Sequence, residues 1–155
     1  MKPDALELFC DSLLPMSTLL TPNLPEAEIL SNMKIYTIDD MDIAAQKIMS
    51  LGCNAVLIKG GHIDGGEKVD RLYMANGGVQ TFTHKTIDTR NTHGTGCTLS
   101  SAITSFIARG LDLVDAIVAA KKYLSQALEV GKDIHIGEGY GPVNHLFNPE
   151  KLITL

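Results

Sequence analysis

The stretch NTHGTGCTLSSAI, residues 91–103, sets two glycines around a threonine, adds a cysteine and then opens a helix-like run. The first turn of a helix carries unpaired N–H groups and a partial positive charge, so it attracts anions. Gly94 and Gly96 would let such groups approach a phosphate with no Cβ in the way. A plain glycine turn ahead of a helix is the alternative, and the pattern leaves both open. Leu99 stands where a dinucleotide fingerprint has its third glycine, and no Gly-Lys-Ser/Thr ending marks a P-loop. Cys97 falls in the first turn, a position that favours a thiolate. It could serve as base, nucleophile or hydrogen-bond donor, or pack as a small apolar side chain. His93, four residues earlier, offers a cysteine–histidine pair or an ordinary loop histidine.

Asn23-Leu24-Pro25-Glu26 also reads two ways. Asparagine is a strong helix N-cap, and a glutamate three residues on completes a capping box. The same carboxylate is a candidate for holding Mg²⁺ or its waters beside phosphates. Lys59 ends an apolar run and precedes two glycines, Gly60 and Gly61. Its ammonium must snorkel to water or meet an anion. GEGYGP, residues 137–142, is a flap or a surface loop, and the sequence does not choose.

The elements that must position these residues follow from apolar periodicity. Residues 4–14 carry Leu6, Phe9 and Leu13 at helical spacing, and residues 16–21 read as a short buried strand. Residues 24–32 predict a short helix. Residues 41–51 predict a stronger one, capped by Asp39 or Asp40 and stopped by Gly52. The continuous apolar run 55–59 is the pattern of a strand buried on both faces. Residues 71–75 and 79–84 form a hairpin through Asn76-Gly77-Gly78. Residues 95–109 make a helix whose stripe is Leu99, Ala102, Ile103, Phe106 and Ile107, ended by Gly110. Residues 113–130 form the last helix, stopped by Gly131, and residues 135–149 are Gly- and Pro-rich loop.

A strand, two helices and a strand imply a right-handed crossover with parallel pairing. The expected fold class is α/β, with a mostly parallel sheet and an antiparallel meander at one edge. Asn23, Glu26, Lys59 and the loop leading to Gly94–Cys97 then fall at one edge of the sheet. Open α/β sheets bind ligands outside the carboxyl ends of their strands.

Composition narrows the function classes. The chain has 155 residues, enough for one domain with a core, and is 45% hydrophobic and 20% charged. Its net charge of −5 argues against nucleic acid as a partner. No apolar run reaches the length that crosses a bilayer, and the opening MKPDALELFCDS lacks the apolar segment of a signal peptide. Cys10, Cys53 and Cys97 are odd in number and widely spaced, which fits a reducing, cytoplasmic setting better than a disulfide or zinc framework.

LLTPNLPEAE, AVLIKGGH, NTHGTGCTLSSAI and GYGPVNH together resemble, in this order, the C-terminal half of the hydroxymethylpyrimidine/phosphomethylpyrimidine kinases of thiamine synthesis. The first and third stretches are the specific ones. The resemblance implies a ribokinase-like three-layer α/β/α fold, in a single domain over residues 1–155 that lacks the family's N-terminal half and most of its pyrimidine pocket. It implies phosphoryl transfer from Mg-ATP to hydroxymethylpyrimidine and then to its monophosphate, with a homodimer as the allowed assembly. Gly94, Thr95, Gly96 and Cys97 would form the anion hole, with Cys97 where many superfamily relatives have a catalytic aspartate. Thr21, Asn23, Glu26, Lys59 and Gly96 would bind the nucleotide, with Glu26 near Mg²⁺. Two other functions compete: a nucleotide-binding module completed by a partner, and a pyridoxal-type kinase.

Overall fold

The computed structural model describes residues 3–63 and 67–149. The chain forms two compact units, Met1–Thr86 and Ile87–Leu155.

The first unit opens with helix α1 (Pro3–Leu8), a π turn (Phe9–Leu13) and a short 3₁₀ turn (Leu14–Met16). Pro15 stands inside that last turn, where its ring and missing N–H bar a continued α-helix. The wider π turn moves the apolar face on by one residue. Leu13 is therefore exposed and Leu14 fully buried, in place of the expected Leu6–Phe9–Leu13 stripe.

Helix α2 (Leu24–Ser31) ends at Asn32, whose φ of 49° is a left-handed cap. Helix α3 (Ile38–Met49) buries Met41, Ala44, Ala45 and Ile48 in one core with Val56 and Ile58. Its N-cap is Thr37, earlier than the expected Asp39 or Asp40. The Thr37 side chain accepts from the Asp40 N–H, while the Asp40 carboxylate accepts from the Tyr36 and Thr37 N–H groups. These bonds hold the Asp40 carboxyl below the usual aspartate range.

Strands β1 (Ala55–Ile63), β2 (Glu67–Met74) and β3 (Val79–Lys85) form a sheet in the order β1-β2-β3. Both pairings are antiparallel. Ala55, Val56, Leu57 and Ile58 are all buried, as the unbroken apolar run predicts. At the hairpin, Gly77 has a φ of 83° and Met74 N–H donates to Gly78 O at 3.0 Å. Tyr73 in β2 donates its hydroxyl proton to Asp42 Oδ1 of α3 at 2.6 Å, and burial pushes that phenol up from its ordinary range.

The expected strand at residues 16–21 is not a full strand. Its parallel pairing with β1 survives as two bridges, Leu20↔Val56 and Asn23↔Lys59. The backbone explains this. Leu20 N–H donates to Ala55 O, Leu57 N–H to Leu20 O, and Lys59 N–H to Pro22 O. The next rung of a parallel ladder would come from residue 22, and proline has no N–H to give. The sheet of the described residues is thus antiparallel, and its parallel component is confined to these bridges.

The second unit pairs helix α4 (Thr95–Ala108) with helix α5 (Leu113–Gly131). Leu99 and Ile103 of α4 are buried, as are Ala116, Ile117, Ala120 and Ala127 of α5. Asp112 caps α5 by accepting from the Asp115 N–H at 2.9 Å. No described helix is long and apolar enough to cross a membrane.

Gly60 has a φ of 86°, and a Cβ built there meets nothing within 4 Å. Gly60→Ala should therefore cost backbone strain alone, about 1–2 kcal/mol. Urea unfolding measures it, and an unchanged midpoint would contradict the left-handed turn.

Candidate active site

In the first unit the site residues sit where α2 meets β1. Asn23 leaves the chain extended, with φ −77° and ψ 173°, and caps α2. Its Oδ1 accepts from Glu26 N–H at 2.8 Å, and Glu26 Oε2 accepts from Asn23 N–H at 2.9 Å. The capping-box reading of this motif is realised. Glu26 Oε1 takes no hydrogen bond among the described residues, so one oxygen of an exposed carboxylate stays open. Thr21 and Glu26 both line a cavity of about 380 Å³ whose other walls are mainly apolar, including Leu6, Phe9 and Ile29.

Lys59 is pinned beside Asn23 by their parallel bridge and by its own N–H bond to Pro22 O at 2.9 Å. A β-bulge sits at this point. The pairs Ile58↔Arg71 and Gly61↔Val69 leave Lys59 and Gly60 together opposite Asp70. Gly60 N–H donates to the buried Asp70 carboxylate at 2.7 Å. A bulge of this kind re-aims the side chain it carries. Lys59 is half-buried, and its ammonium has no hydrogen-bond or ion-pair partner among the described residues.

In the second unit, Gly94 is the N-cap of α4, with φ 85° and ψ 3°. A glycine has no side chain to cap with, and the first turn holds no acidic residue. Thr95 N–H reaches Thr92 O at 3.3 Å, and Thr98 N–H reaches Gly94 O at 2.8 Å. The N–H groups of Gly96 and Cys97 find no acceptor among the described residues, and both residues are exposed. Exposure removes the reading of Cys97 as a buried packing residue. Cys97 lines a cavity of about 490 Å³ with Ser101, Phe106, Arg109, Tyr123 and His145. Tyr123 Oη and His145 Nδ1 lie 3.2 Å apart on its wall. No hydrogen bond joins His93 to Cys97 among the described residues. His93 uses its backbone N–H on Gly141 O at 3.1 Å.

Sequence reasoning gave Asn91 no role, although it opens the motif. It is 6% exposed, and its side-chain amide donates to Gly131 O and Ile134 O, both at 2.7 Å. Gly141 lies against it so closely that a Cβ there would fall 2.0 Å from Asn91 Oδ1. The stretch 137–142 is thus anchored at Gly141 and Pro142, whereas Tyr140 stays exposed. A buried asparagine among loop residues was the available signal, but burial of a loop residue is invisible in one sequence. Asp70 of β2, which steadies the bulge, was missed because a bulge opposite it is set by strand pairing that residue types do not announce.

Gly141→Ala should lower the unfolding midpoint clearly, because the methyl group must displace Asn91. Gly139→Ala, with nothing within 4 Å, should leave it near wild type. Thermal unfolding of the two variants checks the contrast, and equal midpoints would refute it.

The family described as phosphomethylpyrimidine kinase matches residues 1–144. The chain is 42% identical over 147 residues to the hydroxymethylpyrimidine/phosphomethylpyrimidine kinase of Rhizobium meliloti strain 1021, covering 94% of this chain and 54% of that one. It superposes on the pyridoxal kinase from Staphylococcus aureus in complex with AMP-PCP with a TM-score of 0.85 at 33% identity, covering 94% of this chain and 53% of that one. The phosphomethylpyrimidine kinase from Clostridium difficile 630 is 40% identical, with a TM-score of 0.66, covering 82% of this chain and 50% of that one. The chain spans 54% of the length of the curated kinases of Rhizobium meliloti and of Escherichia coli. It belongs to the phosphomethylpyrimidine kinase family, and its α/β fold is ribokinase-like.

Proposed function

We propose that this chain is the nucleotide-handling part of a kinase that phosphorylates hydroxymethylpyrimidine and then its monophosphate. The observation that carries the reading is the open first turn of α4, with unpartnered N–H groups on Gly96 and Cys97. It stands on a chain of this family.

Phosphoryl transfer needs positioning and charge stabilisation more than covalent chemistry. In the proposed step the substrate hydroxyl oxygen attacks the γ-phosphorus, and the bond from that phosphorus to the β–γ bridging oxygen breaks. ADP leaves, and the hydroxyl proton passes to Cys97 Sγ, which acts from its thiolate form and ends as a thiol. Gly94 and Thr95 set the turn, while the N–H groups of Gly96 and Cys97 receive the transferring group. Thr21, Asn23 and Lys59 serve the nucleotide, Lys59 with its unpaired ammonium. Glu26 is the residue that would hold Mg²⁺ or its waters, through the oxygen left open by the capping box. A single carboxylate fits an ion that keeps most of its waters and phosphate ligands. Bound Mg²⁺ supplies charge neutralisation on the phosphates.

Both units are read as parts of one ribokinase-like domain of a cytoplasmic protein that acts on small molecules rather than nucleic acid or membrane, with a homodimer as its assembly. A pyridoxal acceptor is the second reading, favoured by the high TM-score to a pyridoxal kinase. The pyrimidine acceptor is preferred because the sequence relatives carry that name at higher identity. A non-catalytic nucleotide-binding module that needs a partner is the third.

The test is a coupled turnover assay with Mg-ATP, run on this chain alone and on a version joined to the unmatched half of a curated relative. Hydroxymethylpyrimidine should be turned over by the joined protein in preference to pyridoxal. Nucleotide binding without turnover in both versions would favour the binding module. In the active protein, Lys59→Ala should lower kcat/KM by about 10²–10³ by removing a cation. Gly96→Ala keeps its N–H but sets a methyl group where the phosphoryl group would approach, and it should lower kcat/KM as well. Wild-type kcat/KM in either variant would contradict the role given to that residue.

A further inference from the structure

Helix α4 begins four residues after Asn91, and Asn91 is held in place by three hydrogen bonds. Its N–H donates to Thr89 Oγ1 at 3.0 Å. Its side-chain amide donates to two backbone carbonyls, Gly131 O at the end of α5 and Ile134 O in the turn beyond. Thr89 adds a third link to that turn, donating its hydroxyl proton to Lys132 O at 3.3 Å. On the opposite side, Gly141 rests on the Asn91 side chain, and His93 N–H donates to Gly141 O. The loop before the open amides is therefore held between the C-terminal end of α5 and the glycine-rich tail.

From this geometry we infer that Asn91 is a positioning residue for the phosphate-receiving turn. Its amide fixes where residues 91–93 run, and so fixes the left-handed Gly94 and the aim of the Gly96 and Cys97 N–H groups. The inference rests on the reading of that turn as the phosphate site. The chemistry selects the residue type. Both partners of the side chain are carbonyl oxygens, so only a donor serves. Aspartate has the same shape, but ionised it would set an acceptor against two acceptors. Serine and alanine cannot span both carbonyls.

The decisive variant is Asn91→Asp, which keeps volume and packing against Gly141 and removes the donation. Thr89→Val weakens the same tether more gently and serves if the first variant does not fold. Each is compared with wild type by unfolding midpoint, by the amide resonances of Gly94, Gly96 and Cys97, by hydrogen exchange of the Thr98 amide, which bonds to Gly94 O, and by affinity for AMP-PCP with Mg²⁺. In folded protein, the amide resonances of Gly96 and Cys97 should shift, and the Thr98 amide should exchange faster. Affinity should fall about tenfold, the equivalent of one charged hydrogen bond. A lowered midpoint with unmoved amides and unchanged affinity would make Asn91 merely structural and overturn the inference. If wild type binds no AMP-PCP, the phosphate-site reading falls. The amide resonances then decide the positional role alone: shifted Gly96 and Cys97 signals support it, and unmoved ones overturn it.

Discussion

A helix cannot pair the N–H groups of its own first turn, and the rest of this molecule is arranged around that constraint. Three helices meet it with their own side chains. Asn23 and Glu26 close α2, Thr37 and Asp40 close α3, and Asp112 closes α5. Helix α4 does not. Its cap is Gly94, its first turn has no carboxylate, and its second and third N–H groups are open. A glycine cap costs roughly a few tenths of a kcal/mol relative to a good side-chain cap, and it leaves the donors of that turn unpaired. A negatively charged phosphoryl group is the chemical partner that would offset that cost.

Each unit fixes one kind of group that could meet an anion. The first fixes a cationic side chain by backbone geometry. Pro22 interrupts the parallel ladder, Lys59 still bonds across to Pro22 O, and a bulge braced by Asp70 turns the strand at that residue. The second fixes neutral backbone donors by burying Asn91 between α5 and the glycine-rich tail. A few polar contacts at element ends, each worth roughly 1 kcal/mol, set the geometry, while the apolar core sets the stability.

Much of this was legible in the sequence. The AVLIK run announced a strand buried on both faces, Asn-Gly-Gly announced the hairpin, and the stripe through Leu99 and Ile103 announced α4. Local rules govern these features, so one sequence carries them. The misses differ in cause. The clasp around Asn91 depends on residues far along the chain, Gly131, Ile134 and Gly141, while the missing rung at Pro22 and the turn at Pro15 come from prolines whose effect the apolar pattern hides. Thr37 was passed over as a cap because the apolar pattern begins later than the helix does. For the site, residue types and spacing gave both readings of Asn23–Glu26 and of Cys97. In the structure the capping box is formed and Cys97 is exposed, a choice that periodicity alone could not make.

The most direct test of the central claim is a crystal structure of the chain, joined to the unmatched half of a relative, with ADP, Mg²⁺ and aluminium fluoride. The metal fluoride mimics the phosphoryl group in flight. The account predicts it within hydrogen-bond distance, about 3 Å, of the Gly96 and Cys97 nitrogens. A mimic seated elsewhere, with those two N–H groups facing only water, would contradict it.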